Sequence, residues 1–354
     1  MRNSLPFFSG SLLVLLTGCS HFAKESHSKI PTSPSKNVTI VYQSNRQGEL
    51  EPCGCQKKPF GGIDREANAL KQIRKESEIV WYVDAGNMLT TSSLKNFAHR
   101  SRKAEALIEI LKAMKLDVFA PGPEDFTLGI DFLLKAQEQS SFSFVSTNGK
   151  YFKKYHTETR GGIRFTFLAL SPESPVTQEP TSALKEALAE VVPKSDFIIL
   201  LSQLGAEKDE ALARDFPEVQ VIVGSDPQLA LERPFLFHGR TLQVDPHQFG
   251  YQLGKLELQL RWPFRGFFSY EEMASHRQKM AFWESRLEEN PKNQVAKDYL
   301  YQIKETAILE PQEGGSEYKH QLISLDGATY GTPNVITGKI KRYRESVRKA
   351  ALVR

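Results

Sequence analysis

The sequence predicts an α/β protein built on two packed sheets, with a helical extension at its C-terminus. Short β-rich apolar segments alternate with helical patterns from residue 38 to about residue 260, which is typical of a largely buried sheet flanked by helices. The last strands of this region are separated by turns without helices, which indicates an antiparallel part and hence a second sheet. After residue 269 the chain becomes highly charged.

The strands and helices of the body are assigned from the length and spacing of their apolar residues. The predicted strands are residues 38–42, 79–83, 118–120, 142–146, 165–169, 197–201, 219–223, 241–244 and 255–260. The predicted helices between them are residues 63–75, 100–114, 130–139, 181–191 and 207–215.

The C-terminal region is predicted to be a helical hairpin followed by a basic helix. Residues 270–289 and 292–309 carry apolar residues at helical spacing, and Asn290-Pro291 separates them. Residues 310–337 are expected to form a loop and an irregular stretch. In residues 339–354, seven of sixteen residues are Lys or Arg and one is Glu. Such a helix suits a solvated face, or contact with anionic lipid or an acidic partner.

The composition is that of an ordinary globular protein. The 354 residues, of which 40% are hydrophobic and 25% charged, allow one large domain with an extension. The formal net charge of +4 is small and dispersed, so the composition argues against nucleic-acid binding.

The first residues have the pattern of an export signal. Arg2 is followed by an apolar run at residues 7–16, which is too short to span a bilayer. The run ends in Leu16-Thr-Gly-Cys19, which resembles the bacterial lipobox and implies that Cys19 carries a lipid. The alternative is a buried helix followed by an unrelated cysteine.

The expected domain division follows from these patterns. Residues 1–19 are the lipoprotein signal, and residues 20–37, rich in Ser, Lys, Pro and His, are a flexible tether. Residues 38–262 are the α/β body, and residues 263–354 are the extension. We expect a protein of the bacterial cell envelope that faces the periplasm and is anchored to a lipid bilayer at either membrane.

Five short motifs follow predicted strands. They are Gln43-Ser-Asn-Arg-Gln-Gly48, Asp84-Ala-Gly-Asn87, Gly122-Pro-Glu-Asp-Phe-Thr-Leu-Gly129, Leu201-Ser-Gln-Leu-Gly205 and Gly224-Ser-Asp-Pro-Gln228. Their order resembles the calcineurin-like metallophosphoesterase domain, in its periplasmic 5′-nucleotidase branch, over about residues 38–260. The resemblance implies a four-layer αββα sandwich in which loops at strand ends hold two metal ions.

The side chains at the family's ligand places are mostly replaced. A two-metal hydrolase needs several anionic and imidazole ligands, whereas neutral amides bind transition metals weakly. We therefore expect no cofactor; a divalent metal at Asn45, Asn87 and Asp226 is expected only under the alternative of a surviving phosphoesterase. His247 is the histidine expected to face this cleft. The family's ligand and catalytic places hold Asn45, Gln47, Asn87, Pro123, Glu124, Gln203, Asp226 and Gln228.

The loop after the first predicted strand carries Cys53 and Cys55, two of the three cysteines. The Pro-Cys-Gly-Cys run, followed by Gly61-Gly62 and Arg65, resembles a bacterial subgroup of nucleotidase-like proteins. A helix that begins after Gly62 favours a thiolate nearby through its dipole, and Arg65 adds positive charge.

Three roles of this cysteine pair are compatible with the sequence. The favoured one is a thiol–disulfide redox site, because a Cys-x-Cys disulfide closes a small strained ring and strained exposed disulfides are labile. The others are a metal site completed by a nearby His or Asp, and a structural disulfide. We expect Glu51, Arg65 and Asn87 as neighbours of the pair. Expected partners are a redox protein and, in the cleft, a phosphate-like or nucleotide-like ligand.

Overall fold

Two sheets form the body of the protein, as a computed structural model describes it for residues 35–55, 57, 59–305 and 314–352. Cys19 and the expected signal lie outside the described residues, as does most of the tether. The first sheet has the order β12-β13-β11-β1-β2-β3-β4. Its strands are β1 (Ser35–Gln43), β2 (Ile79–Asp84), β3 (Val118–Phe119), β4 (Ser143–Phe144), β11 (Gln252–Arg261), β12 (Phe267–Phe268) and β13 (Ser316–Ser324).

The second sheet has the order β5-β6-β7-β8-β10-β9, and its central strands are parallel. Between the two sheets, Trp81 packs against Phe165 and Phe167 with ring centroids 5.4 and 4.6 Å away. The strands of the second sheet are β5 (His156–Arg160), β6 (Ile163–Leu170), β7 (Phe197–Ser202), β8 (Val221–Val223), β9 (Phe235–Phe237) and β10 (Thr241–Val244).

Helices cover the outer faces of both sheets. Val41 and Tyr82 of the first sheet belong to one apolar cluster with α1, α2 and α10, and Leu168 and Leu200 of the second pack with α5 and α6. The arrangement is therefore the expected four-layer sandwich. The helices are α1 (Ile63–Glu76), α2 (Phe97–Met114), α3 (Pro123–Phe126), α4 (Ile130–Gln139), α5 (Pro180–Val191), α6 (Ala206–Asp215), α7 (Tyr270–Glu289), α8 (Gln294–Glu305), α9 (Gly327–Tyr330) and α10 (Val335–Leu352).

The C-terminal extension differs from the prediction, because β12 and β13 are strands of the first sheet, α9 is a short helix and α10 begins at Val335. The expectation of an irregular stretch over residues 310–337 is wrong for β13, which pairs antiparallel with β11 in the first sheet. Its buried residues, including Tyr318 and Ile323, are separated by Lys319, His320 and Gln321, so the sequence lacks a clear strand pattern. The extension is thus partly a piece of the body's sheet. The structure has α7 and α8 in the region of the predicted hairpin and α10 in the region of the predicted basic helix; residues 306–309 and 353–354 lie outside the described part.

In the described ranges, none of the helices is both long enough and apolar enough to cross a membrane.

Candidate functional site

The five motifs meet at one edge of the sandwich because each follows a parallel strand at its carboxyl end. The first two loops are joined by backbone hydrogen bonds: the N–H of Asn45 donates to the carbonyl of Gly86, and that of Gln47 to the carbonyl of Asn87, both at 2.8 Å. We call the surface formed by Asn45, Gln47, Asn87 and the third to fifth motif loops the inherited cleft.

Three residues at former ligand places have left-handed backbone. The φ angles of Asn45, Gln47 and Asn87 are 49°, 56° and 53°. Asn tolerates this region better than most residues, but Gln does not share that advantage. Gln47 therefore keeps a backbone shape that its own side chain does not favour, and such strain collects at functional sites.

The amide side chains of the inherited cleft bind one another and the backbone. Asn87 Nδ2 donates to Asn45 Oδ1 at 3.0 Å, and the N–H of Glu124 donates to Asn87 Oδ1 at 3.0 Å. Gln203 Nε2 donates to the carbonyl of Ala120 at 2.9 Å, and its Oε1 accepts from the Ser171 hydroxyl at 3.0 Å. We call Asn45, Asn87 and Gln203 the amide cluster.

Two glycines make room for these side chains. A Cβ atom at Gly86 would lie 2.0 Å from Gln203 Nε2, and one at Gly122 would lie 2.3 Å from Asn87 Oδ1. Any larger residue at either position would displace the amide cluster.

The two carboxylates at the cleft are also engaged. Glu124, at the family's catalytic histidine place, accepts hydrogen bonds from the N–H and hydroxyl of Ser92. Asp226 Oδ1 accepts from the N–H of Gln228 at 2.9 Å, and Gln228 itself is exposed.

Behind the fifth motif lie two more carboxyl groups that the sequence interpretation missed. Asp245 Oδ2 accepts from the N–H of Asp226 at 3.0 Å, and Asp209 accepts from the Ser202 hydroxyl. Burial, with the nearby charge of Asp226, raises the pKa of Asp209 to about 7. Burial likewise raises the pKa of Asp245 well above its usual range.

A buried ion pair joins the first motif loop to helix α1. Arg46 and Glu66 are fully buried and form a salt bridge, and Glu66 also accepts from the hydroxyl of Tyr82. Gly250 allows the close approach, since a Cβ atom there would lie 2.4 Å from the Arg46 guanidinium. Arg46 also donates to the carbonyl of Glu49 at 3.1 Å. The arginine inside the first motif was the one sequence signal that could have indicated this pair.

The described residues between 51 and 62, which we call the cysteine loop, bring Cys53 and Phe60 together. The N–H of Cys53 donates to the carbonyl of Phe60 at 2.9 Å, and the N–H of Phe60 donates to Cys53 Sγ at 3.3 Å. Both cysteines are free thiols, with Cys53 half-buried and Cys55 exposed. The loop thus presents two thiols to solvent, one of which already accepts a backbone hydrogen bond.

The two thiols have different acidities. Hydrogen bonding from Cys55, followed by the N–H of Phe60 and the charge of Arg65, lowers the pKa of Cys53 below its usual value. The same contact with Cys53 raises the pKa of Cys55. Cys53 is therefore the thiol that ionises first, and the thiolate is the nucleophilic form.

The expected neighbours of the cysteines are found in different places. Arg65 Nη1 holds the cysteine loop by donating to the carbonyls of Pro59 and Leu325, at 2.5 and 3.2 Å. Glu51 forms a salt bridge with Arg344 of α10. Asn87 lies in the amide cluster instead.

His247 is connected to the cysteine loop by Tyr251, an aromatic residue that the sequence did not single out. Its ring stacks on Tyr251 with centroids 5.9 Å apart. A Cβ atom at Gly61 would lie 3.1 Å from the Tyr251 ring, so the ring packs against the cysteine loop. Burial and then the charges of Cys53, Glu49 and Cys55 raise the pKa of Tyr251.

Comparisons with known proteins agree on the class of fold. No protein-family profile matches the chain. YunD, an uncharacterized metallophosphoesterase of Bacillus subtilis (strain 168), is 24% identical over 214 residues, which cover 55% of this chain and 46% of YunD. An uncharacterized protein in the pqq-V 5′ region of Acinetobacter calcoaceticus is 24% identical over 186 residues, covering 48% of this chain and 88% of that protein.

Solved structures show the fold more completely. A 5′-nucleotidase precursor from Thermus thermophilus matches 88% of this chain with a TM-score of 0.64 and 18% identity. The sulfate thiohydrolase SoxB from Thermus thermophilus matches 90% with a TM-score of 0.65 and 14% identity. The calcineurin-like phosphoesterase YfkN from Bacillus subtilis matches 88% with a TM-score of 0.59 and 15% identity.

These likenesses establish that the chain has the fold of calcineurin-like phosphoesterases and 5′-nucleotidases. The chain spans about half the length of YunD and covers 59% of the Thermus 5′-nucleotidase and 62% of SoxB.

The residues at the ligand places do not fit two divalent ions. The amide cluster supplies neutral oxygens that already accept hydrogen bonds, and Glu124 and Asp226 accept from Ser92 and Gln228. A dinuclear site needs anionic and imidazole ligands free to bind. Among the residues that the structure describes, no group of three or more His, Cys, Asp or Glu side chains is arranged to hold a metal ion.

Proposed function

We propose that this protein is a lipid-anchored protein of the bacterial envelope that exchanges thiols and disulfides at Cys53 and Cys55. Its phosphoesterase-like fold is then a scaffold whose dinuclear metal site has been lost. The observation that carries the proposal is the pair of free thiols two residues apart on one loop, where Cys53 Sγ accepts a hydrogen bond from the N–H of Phe60 and the pKa of Cys53 is lowered.

The chemistry of the exchange follows from the two acidities. The Cys53 thiolate attacks one sulfur of a substrate disulfide, forms a mixed disulfide and releases the other sulfur as a thiolate. The Cys55 sulfur, after losing its proton, then attacks Cys53 Sγ and releases the second substrate thiolate. The cysteine pair loses two electrons, the substrate disulfide gains two, and the protons of both thiols pass to the released thiolates. The reverse sequence oxidises a substrate dithiol.

The amide cluster supports the same proposal. Its three oxygens accept hydrogen bonds inside the protein, while Asn45 Nδ2 is buried without a hydrogen-bond partner among the described residues. The inherited cleft therefore offers few free groups that could take part in hydrolysis. One observation favours a second function, metal-dependent phosphoesterase activity. The left-handed backbone at Asn45, Gln47 and Asn87 has the strain expected of a working site.

The test compares single-cysteine variants in disulfide exchange. With a small neutral aromatic disulfide as substrate, Cys53→Ser should lower the rate at least about a hundredfold. Cys55→Ser should still form the mixed disulfide but fail to resolve it. Mass spectrometry identifies the trapped adduct. Equal, uncatalysed rates for both variants and the parent protein would overturn the proposal. Nucleotide hydrolysis that requires added metal and is abolished by Asp226→Ala would support the second function instead.

A further inference from the structure

A groove runs between the start of the cysteine loop and the basic helix α10. Its volume is about 520 Å³, within the roughly 300–1,000 Å³ of typical ligand sites. Its lining includes Leu50, Glu51 and Pro52, the three residues that lead directly into Cys53. Anything bound in this groove therefore lies against the chain segment that directly precedes Cys53.

The floor of the groove is apolar. Leu50 and Ile340 are 1% and 6% exposed and belong to the core below, while Pro52 and Pro333 line the sides. Prolines fix the shape of both walls without offering N–H groups. A concave apolar floor admits a chain segment, whereas a flat lipid surface cannot enter it.

The rim that α10 contributes is positively charged. Lys341, Arg344 and Arg348 lie on one face of the helix, because residues three, four and seven apart are neighbours there. Arg344 is paired with Glu51. Lys341 and Arg348 are exposed and form no salt bridge with the described residues.

Three carboxylates also line the groove, but two are already engaged. Glu51 pairs with Arg344, and the carboxylate of Asp64 accepts from the hydroxyl of Thr337 at 3.0 Å and from the N–H of Arg65 at 2.9 Å. Glu345 is the remaining one. Lys341 and Arg348, which form no salt bridge with the described residues, outnumber Glu345. The helix α10 as a whole carries six basic residues and one acidic residue.

We propose that this groove binds an acidic segment of a protein partner and presents that segment's disulfide or thiol to Cys53. The inference rests on the proposed thiol–disulfide function, since it assigns the partner of the same cysteine pair. Charge complementarity with Lys341 and Arg348 selects the acidic segment and steers its approach. The apolar floor between the walls holds the side chains next to the reacting sulfur.

The test separates binding from redox chemistry. Two fluorescent peptides of equal length, one acidic and one basic, carry serine in place of cysteine, and their affinities for the purified protein are measured by anisotropy. We expect the protein to prefer the acidic peptide. The charge-reversed variant Lys341→Glu/Arg348→Glu should weaken its binding about tenfold at low salt. The matched control Arg342→Glu/Lys349→Glu makes the same charge change on exposed residues of α10 outside the groove, and should bind like the parent.

Equal weakening in the two variants, equal binding of the basic peptide, or binding of the protein to anionic lipid vesicles that requires Lys341 and Arg348 would overturn the inference. Because these peptides contain no sulfur, the result does not depend on exchange activity. Loss of the proposed function with the groove intact would appear as acidic-peptide binding without disulfide exchange.

Discussion

The inherited cleft and the cysteine loop differ in how much of their polar chemistry is used inside the protein. In the cleft, Asn45, Asn87 and Gln203 bind one another or nearby backbone and hydroxyl groups, and the ligand places lack imidazoles. In the loop, two thiols are free, one is exposed, and one has a lowered pKa. This contrast is the reason for proposing the cysteine loop, and not the inherited cleft, as the site of the chemistry.

The largest change in the free energy of unfolding is expected from Gln203→Ala, a substitution in the amide cluster of the inherited cleft. The substitution removes two buried hydrogen bonds and leaves the carbonyl of Ala120 without that donor, while the hydroxyl of Ser171 keeps the carbonyl of Pro121 at 3.2 Å. The free energy of unfolding should fall by about 2–4 kcal/mol. Denaturant unfolding measures it.

The control for that experiment is Gln228→Ala, which truncates an exposed glutamine at another former ligand place. It should change the free energy of unfolding by less than about 0.5 kcal/mol. If both variants unfold alike, the amide cluster is not part of the packed structure, and the cleft is open.

A smaller effect is expected from Asp209→Asn, which tests the carboxyl groups behind the fifth motif. Since the pKa of Asp209 is raised to about 7, the folded protein keeps a proton that the unfolded chain loses above about pH 4. The stability of the parent protein should therefore fall as pH rises from about 4 to 7, by up to about 1 kcal/mol per pH unit for this group. The variant cannot ionise, so its curve should be flatter.

Unfolding at several pH values measures that slope. Asp215→Asn, an exposed position at the end of the same helix α6, is the matched control and should keep the slope of the parent protein. A parent curve that rises over this pH range, with no difference in Asp209→Asn, would show that Asp209 is ionised in the folded protein.

The sandwich could be predicted because its strands are apolar, short and regularly separated by amphipathic helices. β13 could not, because Lys319, His320 and Gln321 interrupt its apolar pattern and it is placed by pairing with β11. Pairing with distant residues is invisible to local periodicity.

In the candidate site too, contacts between distant residues could not be predicted from the sequence. The motif order placed Asn45, Asn87 and Gln203 together, since each follows a parallel strand. Their mutual hydrogen bonds and those to Ser171 and Ala120 join residues 32 to 83 positions apart, so only the folded chain reveals them. The pairing of Glu51 with Arg344 is of the same kind. The lipid at Cys19 remains a prediction.

The reduction potential of the Cys53–Cys55 pair tests the central claim most directly, namely that the exposed cysteine loop carries the chemistry. Equilibration of the purified protein with thiol–disulfide buffers, followed by alkylation and mass analysis, gives the potential. We predict a value above about −300 mV, as for labile and catalytic disulfides. A potential well below about −300 mV would mark a structural bridge and contradict the account.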